Sequence, residues 1–347
     1  MEEPLAGKST LNRLELTPAE SGGDRYHKIT YSAEPLDRLR VEVFLEAHPQ
    51  PPAEIVLDRD VTDTPLQGEP EARFFHGYYR DDCYRPLYIF CGERRLCARP
   101  RASNQEASAG AFEEVERMVR QIRQPGPEVK MTRRADSGFC REELMSWGEA
   151  HAVDYVFGRA RKARLEAEIT AAMAEAQQQP QQSGPAARVF TEFFSQTRQS
   201  WSRARRVIAK AEYLAKGENP RLVVTSLVSQ AWPARALYEQ LYCARGEMEN
   251  RIQEQLSLFA DRMSPESLRA HQLRLYFSSF ASVLLHALRR LALAGTEWAH
   301  AQVGTIRLRL LNIAAAVRWS ARRIGIRSPR AYPGKARFAA AHSALRC

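Results

Sequence analysis

Residues 54–63 read EIVLDRDVTD, an apolar and β-branched start that runs directly into three aspartates. Such a start predicts a buried strand. Side chains alternate along a strand, so Asp58 and Asp60 share one face, while Asp63 falls beyond the strand end. Two other stretches also offer an acid at a defined place. VKMTRRADSGF (129–139) predicts a strand with Asp136 at its C-terminal end, and LYCARGEMENRI (241–252) carries a helical pattern. In that pattern Tyr242, Arg245, Glu249 and Ile252 are spaced at three, four and three residues and share a face; Glu247 turns about 200° away from Glu249. Three separate elements can therefore bring three carboxylates to one point. Each acid alone also has an ordinary reading. Asp58, Asp60, Asp63 and Asp136 could be turn formers after strands, and Arg245–Glu249 could be a surface i,i+4 pair worth about 0.3–0.5 kcal/mol.

Around these stretches the pattern is alternating. LDRLRVEVFLEAH (36–48) reads as a helix ended by PQPPAE (49–54). EIVLDRDV, ARFFHGYYR (72–80), PLYIFCG and RLCARPR read as four strands of an antiparallel meander fed by a central first strand. A helix follows over Gly110–Arg123, then the strand ending at Asp136, a helix over 141–151 and the strand VDYVFGRA, a unit that forces a parallel pairing. Asp136 and Glu249 stand 113 positions apart, too far for one helix and connector. Low-complexity QQQPQQSGPAA and strand-like ARVFTEFFSQT, RRVIAKAEYL and RLVVTSLV point to a β-rich insertion there. Helices resume at Pro233 and are expected to continue to about Arg323.

The chain of 347 residues is 44% hydrophobic, enough for a buried core. Its formal charge of +10 is concentrated. Trp298–Cys347 contains ten Lys/Arg and no Asp or Glu, so the preceding 297 residues balance at 41 basic and 41 acidic. A basic terminus of this kind is the electrostatic footprint of phosphate-backbone binding, although basic ends also occur simply as solvated tails. The six cysteines form no C-x-x-C pair and follow no secretory signal, which implies reduced thiols in the cytoplasm. Cys91 and Cys97, in LYIFCGERRLCAR, fit buried small residues better than zinc ligands. Apolar runs such as FSSFASVLLHAL are too short to span a bilayer.

Taken together, LDRDVT, RADSGF and YCARGEME resemble the DDE transposases of bacterial insertion sequences, DDE domain group 1, from about Leu11 to about Ser328. Arg134 and Phe139 complete the second phrase. The resemblance implies a metal-dependent polynucleotidyl transferase with Asp60, Asp136 and Glu249 as catalytic residues and ligands of two Mg²⁺, Mn²⁺ being an alternative. It selects Asp60, followed by Thr62, over Asp58. It implies a ribonuclease-H-like α/β fold: a lead-in over 1–50, a mixed-sheet core over 51–160, a β-rich insertion and return strand over 161–231, the catalytic helix over 232–262, and a basic C-terminal helical region over 263–347. The implied partners are transposon-end and target DNA, with two copies in a synaptic complex, in a nucleoid-associated cytoplasmic protein. Trp201, Arg203, Arg245 and Arg251 are the candidate DNA contacts. Trp201, in QSWSRARR, could stack a base or pack the insertion's own core, and Arg251 could replace a basic residue that related families carry where this chain has Leu256. Only about fifty residues precede the first strand, so the terminal-repeat-binding segment is expected to be truncated or absent. A non-catalytic DNA-binding remnant is the alternative reading.

Overall fold

The structure, a computed structural model, describes residues 14–16, 29–178, 188–214, 217–260, 265–329 and 331–346. Helix α1 (Ala33–Glu46) stops before the prolines at 49, 51 and 52, and β1 (Glu54–Val61) begins directly after them. β1 is the centre of the molecule. It pairs antiparallel with β5 (Leu87–Cys91), which pairs antiparallel with β6 (Arg94–Arg99). On its other side it pairs parallel with β7 (Lys130–Ala135), which pairs parallel with β8 (Val153–Arg159). The order β6–β5–β1–β7–β8, with α2 (Ala111–Arg123) and α3 (Glu142–Ala150) as the crossovers, is the ribonuclease-H-like arrangement.

Strand alternation sorts the side chains into two layers. On one face Ile55, Leu57, Leu87, Ile89, Met131, Tyr155 and Phe157 are buried beneath α1, α2 and α3. Val115, Met118, Val119 and Ile122 recur at helical spacing and turn one side of α2 onto this layer, each contributing about 1.5–3 kcal/mol by burial. On the other face Tyr88, Phe90 and Ala98 meet Met248, Ile252 and Leu275, while Val156, Ile208 and Val223 meet Leu237, Tyr238 and Leu241. That second cover is a helical rod assembled from unlike turns. It runs through an α turn (Ala234–Ala236), a π turn (Leu237–Tyr242), a 3₁₀ turn (Cys243–Arg245), α6 (Gly246–Gln255) and a second π turn (Leu256–Ala260). Helix α7 (Leu268–Leu291) begins at Ser267, whose Oγ accepts from the Ala270 amide at 3.2 Å.

The segment between β8 and the rod opens with α4 (Ala163–Glu168) and α5 (Thr170–Gln178), two helices that the strand-like reading of 161–231 did not include. Its strands β9 (Arg188–Ser195), β10 (Arg205–Leu214), β11 (Gly217–Glu218) and β12 (Arg221–Thr225) extend the central sheet, because β12 pairs antiparallel with β8. Most of the low-complexity stretch lies outside the described residues. The meander also departs from expectation: 72–80 contributes no strand to the large sheet. Only β3 (Phe75–His76) forms there, in a small sheet with β2 (Thr64–Pro65) and β4 (Asp81–Tyr84). Its aromatic residues have high strand propensity, but Phe75 and Tyr78 remain exposed, and propensity without a face to bury does not make a central strand. Helix does not run on to Arg323 either. After the short α8 (Val303–Ile306), β13 (Ala316–Ser320) and β14 (Arg323–Arg327) form a hairpin, followed by α9 (Lys335–Ala344). Among the described residues no helix is long and apolar enough to cross a membrane.

Candidate functional site

Asp60 sits near the C-terminal end of β1, opposite Tyr88, and its Oδ1 accepts from the Val61 amide at 2.9 Å. The next parallel strand ends one residue before Asp136, which starts the 3₁₀ turn Ser137–Phe139 by accepting from the Gly138 amide at 2.9 Å. Adjacent parallel strands thus end side by side, each delivering an aspartate. Gly158 on β8 permits the close fit around them. A Cβ there would lie 2.7 Å from the Tyr242 hydroxyl and 2.9 Å from the Ser137 amide, so any side chain would push the rod away from the Asp136 turn.

The rod brings the third acid. Arg245 reaches Asp60 Oδ2 with Nη1 and Glu249 Oε1 with Nη2, both at 3.3 Å. One guanidinium therefore spans acids from two elements. The Asp60 carboxyl is pushed up to about 6, chiefly because burial disfavours its charge, and the repulsion of Asp136 and Glu249 adds to the rise while Arg245 opposes it. All three acids consequently lie within one electrostatic neighbourhood. As placed, no three His, Cys, Asp or Glu side chains among the described residues are close enough to grip one ion. Glu249 is the more exposed member, its side chain 63% exposed against 14% for Asp60. The side chain of Glu247 lies outside the described residues.

Asp58, on the same face as Asp60, has a different task. It is buried and held by Arg134 through Nε–Oδ1 at 2.5 Å and Nη2–Oδ2 at 2.7 Å, while Arg134 Nη1 donates to the Leu241 carbonyl. Asp58 and Arg134 are direct partners in the parallel register, so this salt bridge, with the Leu241 contact, fastens β1, β7 and the rod together one residue before Tyr242. The sequence shows Arg134 only as a flanking residue; its role follows from a register that the local pattern does not specify. On the opposite face Arg59 and Arg133 are fully buried, Arg59 between the rings of Phe139 and Phe157 at 5.2 and 4.9 Å, with none of its guanidinium nitrogens hydrogen-bonded. Burial and the neighbouring Arg133 drive the Arg59 pKa well below its usual value.

The predicted DNA contacts divide. Trp201 is buried between Arg159 and Arg205, whose guanidinium carbons lie 4.9 and 5.5 Å from its ring, so the packing alternative describes its position and a base has no access to it as placed. Arg203 is exposed at the surface, 3.1 Å from Glu149. Its neighbours Arg205 and Arg206 are buried and engaged, Arg205 by Glu142 and Glu149 and Arg206 by Glu192. Arg251 is half-buried between Glu93 and Glu254. The basic run around Trp201 thus largely neutralises acids of its own fold.

No curated protein sequence matches the chain. Among solved structures it is similar to a cryo-EM structure of a piggyBac transposase synaptic complex with hairpin DNA, with a TM-score of 0.38 and 9% identity over 75% of this chain and 52% of that one. The chain thus spans about half the length of that transposase chain. The family model for the transposase DDE domain, group 1, matches residues 1–347, and the chain belongs to that family.

Proposed function

We propose that the chain is a metal-dependent DNA transposase that cuts a phosphodiester at the ends of a mobile element and joins the freed 3′-hydroxyl to target DNA. What carries the reading is the approach of Asp60, Asp136 and Glu249 from two parallel strand ends and one helix. The donors are all carboxylate oxygens, the set that hard divalent ions such as Mg²⁺ or Mn²⁺ take. Asp60, at the sheet centre, would be the shared ligand, with Asp136 and Glu249 completing a pair of ions after Glu249 rotates inward. When bound, such a pair activates the attacking oxygen, stabilises the leaving one and offsets phosphate charge.

In hydrolysis the water oxygen bonds to phosphorus as the bond from phosphorus to the 3′-oxygen breaks, and that oxygen leaves protonated as the 3′-hydroxyl. In strand transfer this hydroxyl attacks a target phosphodiester and displaces the target's 3′-oxygen. The chain's own residues hold this geometry. Arg245 offsets the local negative charge and stands where it can hold a DNA phosphate beside the acids, and the Asp58–Arg134 clamp fixes the rod that carries Glu249. Joining two element ends asks for two copies of the chain.

A non-catalytic DNA-binding remnant is the second reading, and the observation favouring it is that Arg245 separates Asp60 from Glu249 as placed. Mg²⁺-dependent nicking of supercoiled DNA decides between them. The enzyme reading expects nicking by the wild-type chain and its loss in Glu249→Gln, with duplex affinity unchanged. Duplex binding without nicking by the wild type supports the remnant.

A further inference from the structure

Away from the three acids, a cavity of about 240 Å³ lies between the C-terminal part of α1, the turn joining β5 to β6, and α7. Asp60 pairs with Tyr88 near the start of β5, whereas the turn follows Cys91, so the cavity lies toward the opposite end of the sheet. Three steps of extended chain from Tyr88 to Cys91 place the turn roughly 10 Å along the sheet from Asp60's partner. Arg94, Arg95 and Arg290 line it, with His286 and the serines at 279 and 282.

Cations outnumber acids on this wall, three arginines against Glu46 and Glu93. Arg95 is only 4% exposed, and its Nε and Nη1 meet no acceptor. Among the described residues neither Arg94 nor Arg290 has an ion-pair partner. Glu93 faces the cavity but is engaged by Arg251 and by His286 Nδ1 at 3.3 Å, which leaves exposed Glu46 as the other carboxylate on the wall. Burial and the proximity of Arg290 lower the Arg94 pKa, while Glu93 opposes the fall. Unpaired buried guanidinium groups are costly unless something anionic reaches them, and the arginine fork matches the oxygens of a phosphate.

We propose that this cavity is an anion site that takes a phosphate group, held by Arg94, Arg95 and Arg290 with the Ser282 hydroxyl as a further donor. Two sources share the chemistry: a backbone phosphodiester of bound DNA, which rests on the function proposed above, and a free phosphate or phosphomonoester, which does not. The second cleft beside it, lined by Arg251, Glu254, Arg289 and His300, shares Glu93, His286 and Arg290 with the cavity, but there Arg251 and Arg289 are paired with Glu254.

The test uses the full chain with inorganic phosphate and with a short duplex, ionic strength being matched with chloride. Phosphate at saturating concentration is expected to raise the wild-type melting temperature by about 2–4 °C. Ser282→Glu and Arg290→Gln, both outside the core, are expected to abolish that rise. Arg95→Met, which removes a buried charge without opening a hole, should raise the baseline melting temperature and also abolish the phosphate response. If the source is DNA, the two surface variants also lower the slope of log affinity against log salt by about 0.9. If it is a free phosphate, duplex affinity is unchanged while the thermal response is lost. Variants that match the wild type in both measurements overturn the proposal.

Discussion

The centre of the sheet and the last fifty residues hold charge in opposite ways. On the site face of the sheet the acids have internal answers, Asp58 with Arg134 and Asp60 and Glu249 with Arg245, and Arg205 is paired with Glu142 and Glu149, whereas Arg59 and Arg133 on the opposite face lie against aromatic rings. From Trp298 onward ten cations face no acid in their own segment, and the ion pair described there reaches back to Glu297 from Arg337. The hairpin shows the contrast most clearly. Cross-strand register puts Val317, Trp319, Ile324 and Ile326 on one face and Arg318, Arg323 and Arg327 on the other, and every one of these residues is exposed. Two-stranded ribbons are marginal by themselves in water. Charge paired inside the fold serves geometry, whereas the exposed arginines of the hairpin are available to a polyanion.

The largest effect expected from breaking that division is at the clamp. Asp58→Ala leaves the Arg134 guanidinium buried without its carboxylate and should cost about 3–5 kcal/mol in urea unfolding. A paired apolar replacement, Asp58→Leu with Arg134→Met, should recover much of that loss, because the salt bridge must repay two desolvation penalties. Asp58→Ala at no stability cost would show that the clamp does not fasten the rod.

The fold was most legible where apolar runs end in acids. EIVLDRDV and VKMTRRAD announce buried strands, and their neighbouring ends place Asp60 and Asp136 together. The helical spacing of Tyr242, Arg245 and Glu249 put those side chains on one face, although the π and 3₁₀ turns around them left no trace in the pattern. Partnerships set by register were hidden. Nothing local to Asp58 names Arg134, and nothing local to Trp201 reveals that Arg159 and Arg205 will enclose it. The C-terminal hairpin was legible but unread: AVRWS and RIGIR alternate apolar and polar residues at the strand period, a signal masked by the helical stretches before it.

An intermediate effect should appear with pH. A carboxyl with its pKa raised to about 6 in metal-free protein must lose a proton before it can ligate a cation, so at sub-saturating Mg²⁺ nicking should climb as pH rises through about 6 and then level off. The stability consequence has the opposite sign in metal-free protein. Because Asp60 holds its proton more tightly when folded, its contribution favours the fold at low pH and is lost as pH rises from the ordinary carboxylate range through about 6. The stability effect should be absent from Asp60→Asn, which is also expected to lose nicking. A nicking rate flat between pH 5 and pH 7 would contradict the placement of Asp60 in this acidic cluster.

The smallest expected effect per residue belongs to the uncompensated end. Changing Arg318, Arg323 and Arg327 to Gln should weaken duplex binding and reduce the salt slope by about 0.9 for each DNA phosphate that is no longer neutralised, with nicking at low salt largely spared. Substitution is cleaner than truncation at residue 324, which would cut through β14 and leave β13 unpaired. Equal slopes for the wild type and the triple variant would make the hairpin a solvated end.

The central claim is that Asp60, Asp136 and Glu249 form one metal site despite the Arg245 bridge between two of them. Titration of the full chain with Mn²⁺, read by electron paramagnetic resonance of the free ion, tests it most directly. Two bound ions per wild-type chain are expected, with weakened or abolished binding in each of Asp60→Asn, Asp136→Asn and Glu249→Gln and unchanged binding in the surface variant Arg203→Gln. Full wild-type stoichiometry and affinity in all three carboxylate variants would contradict it.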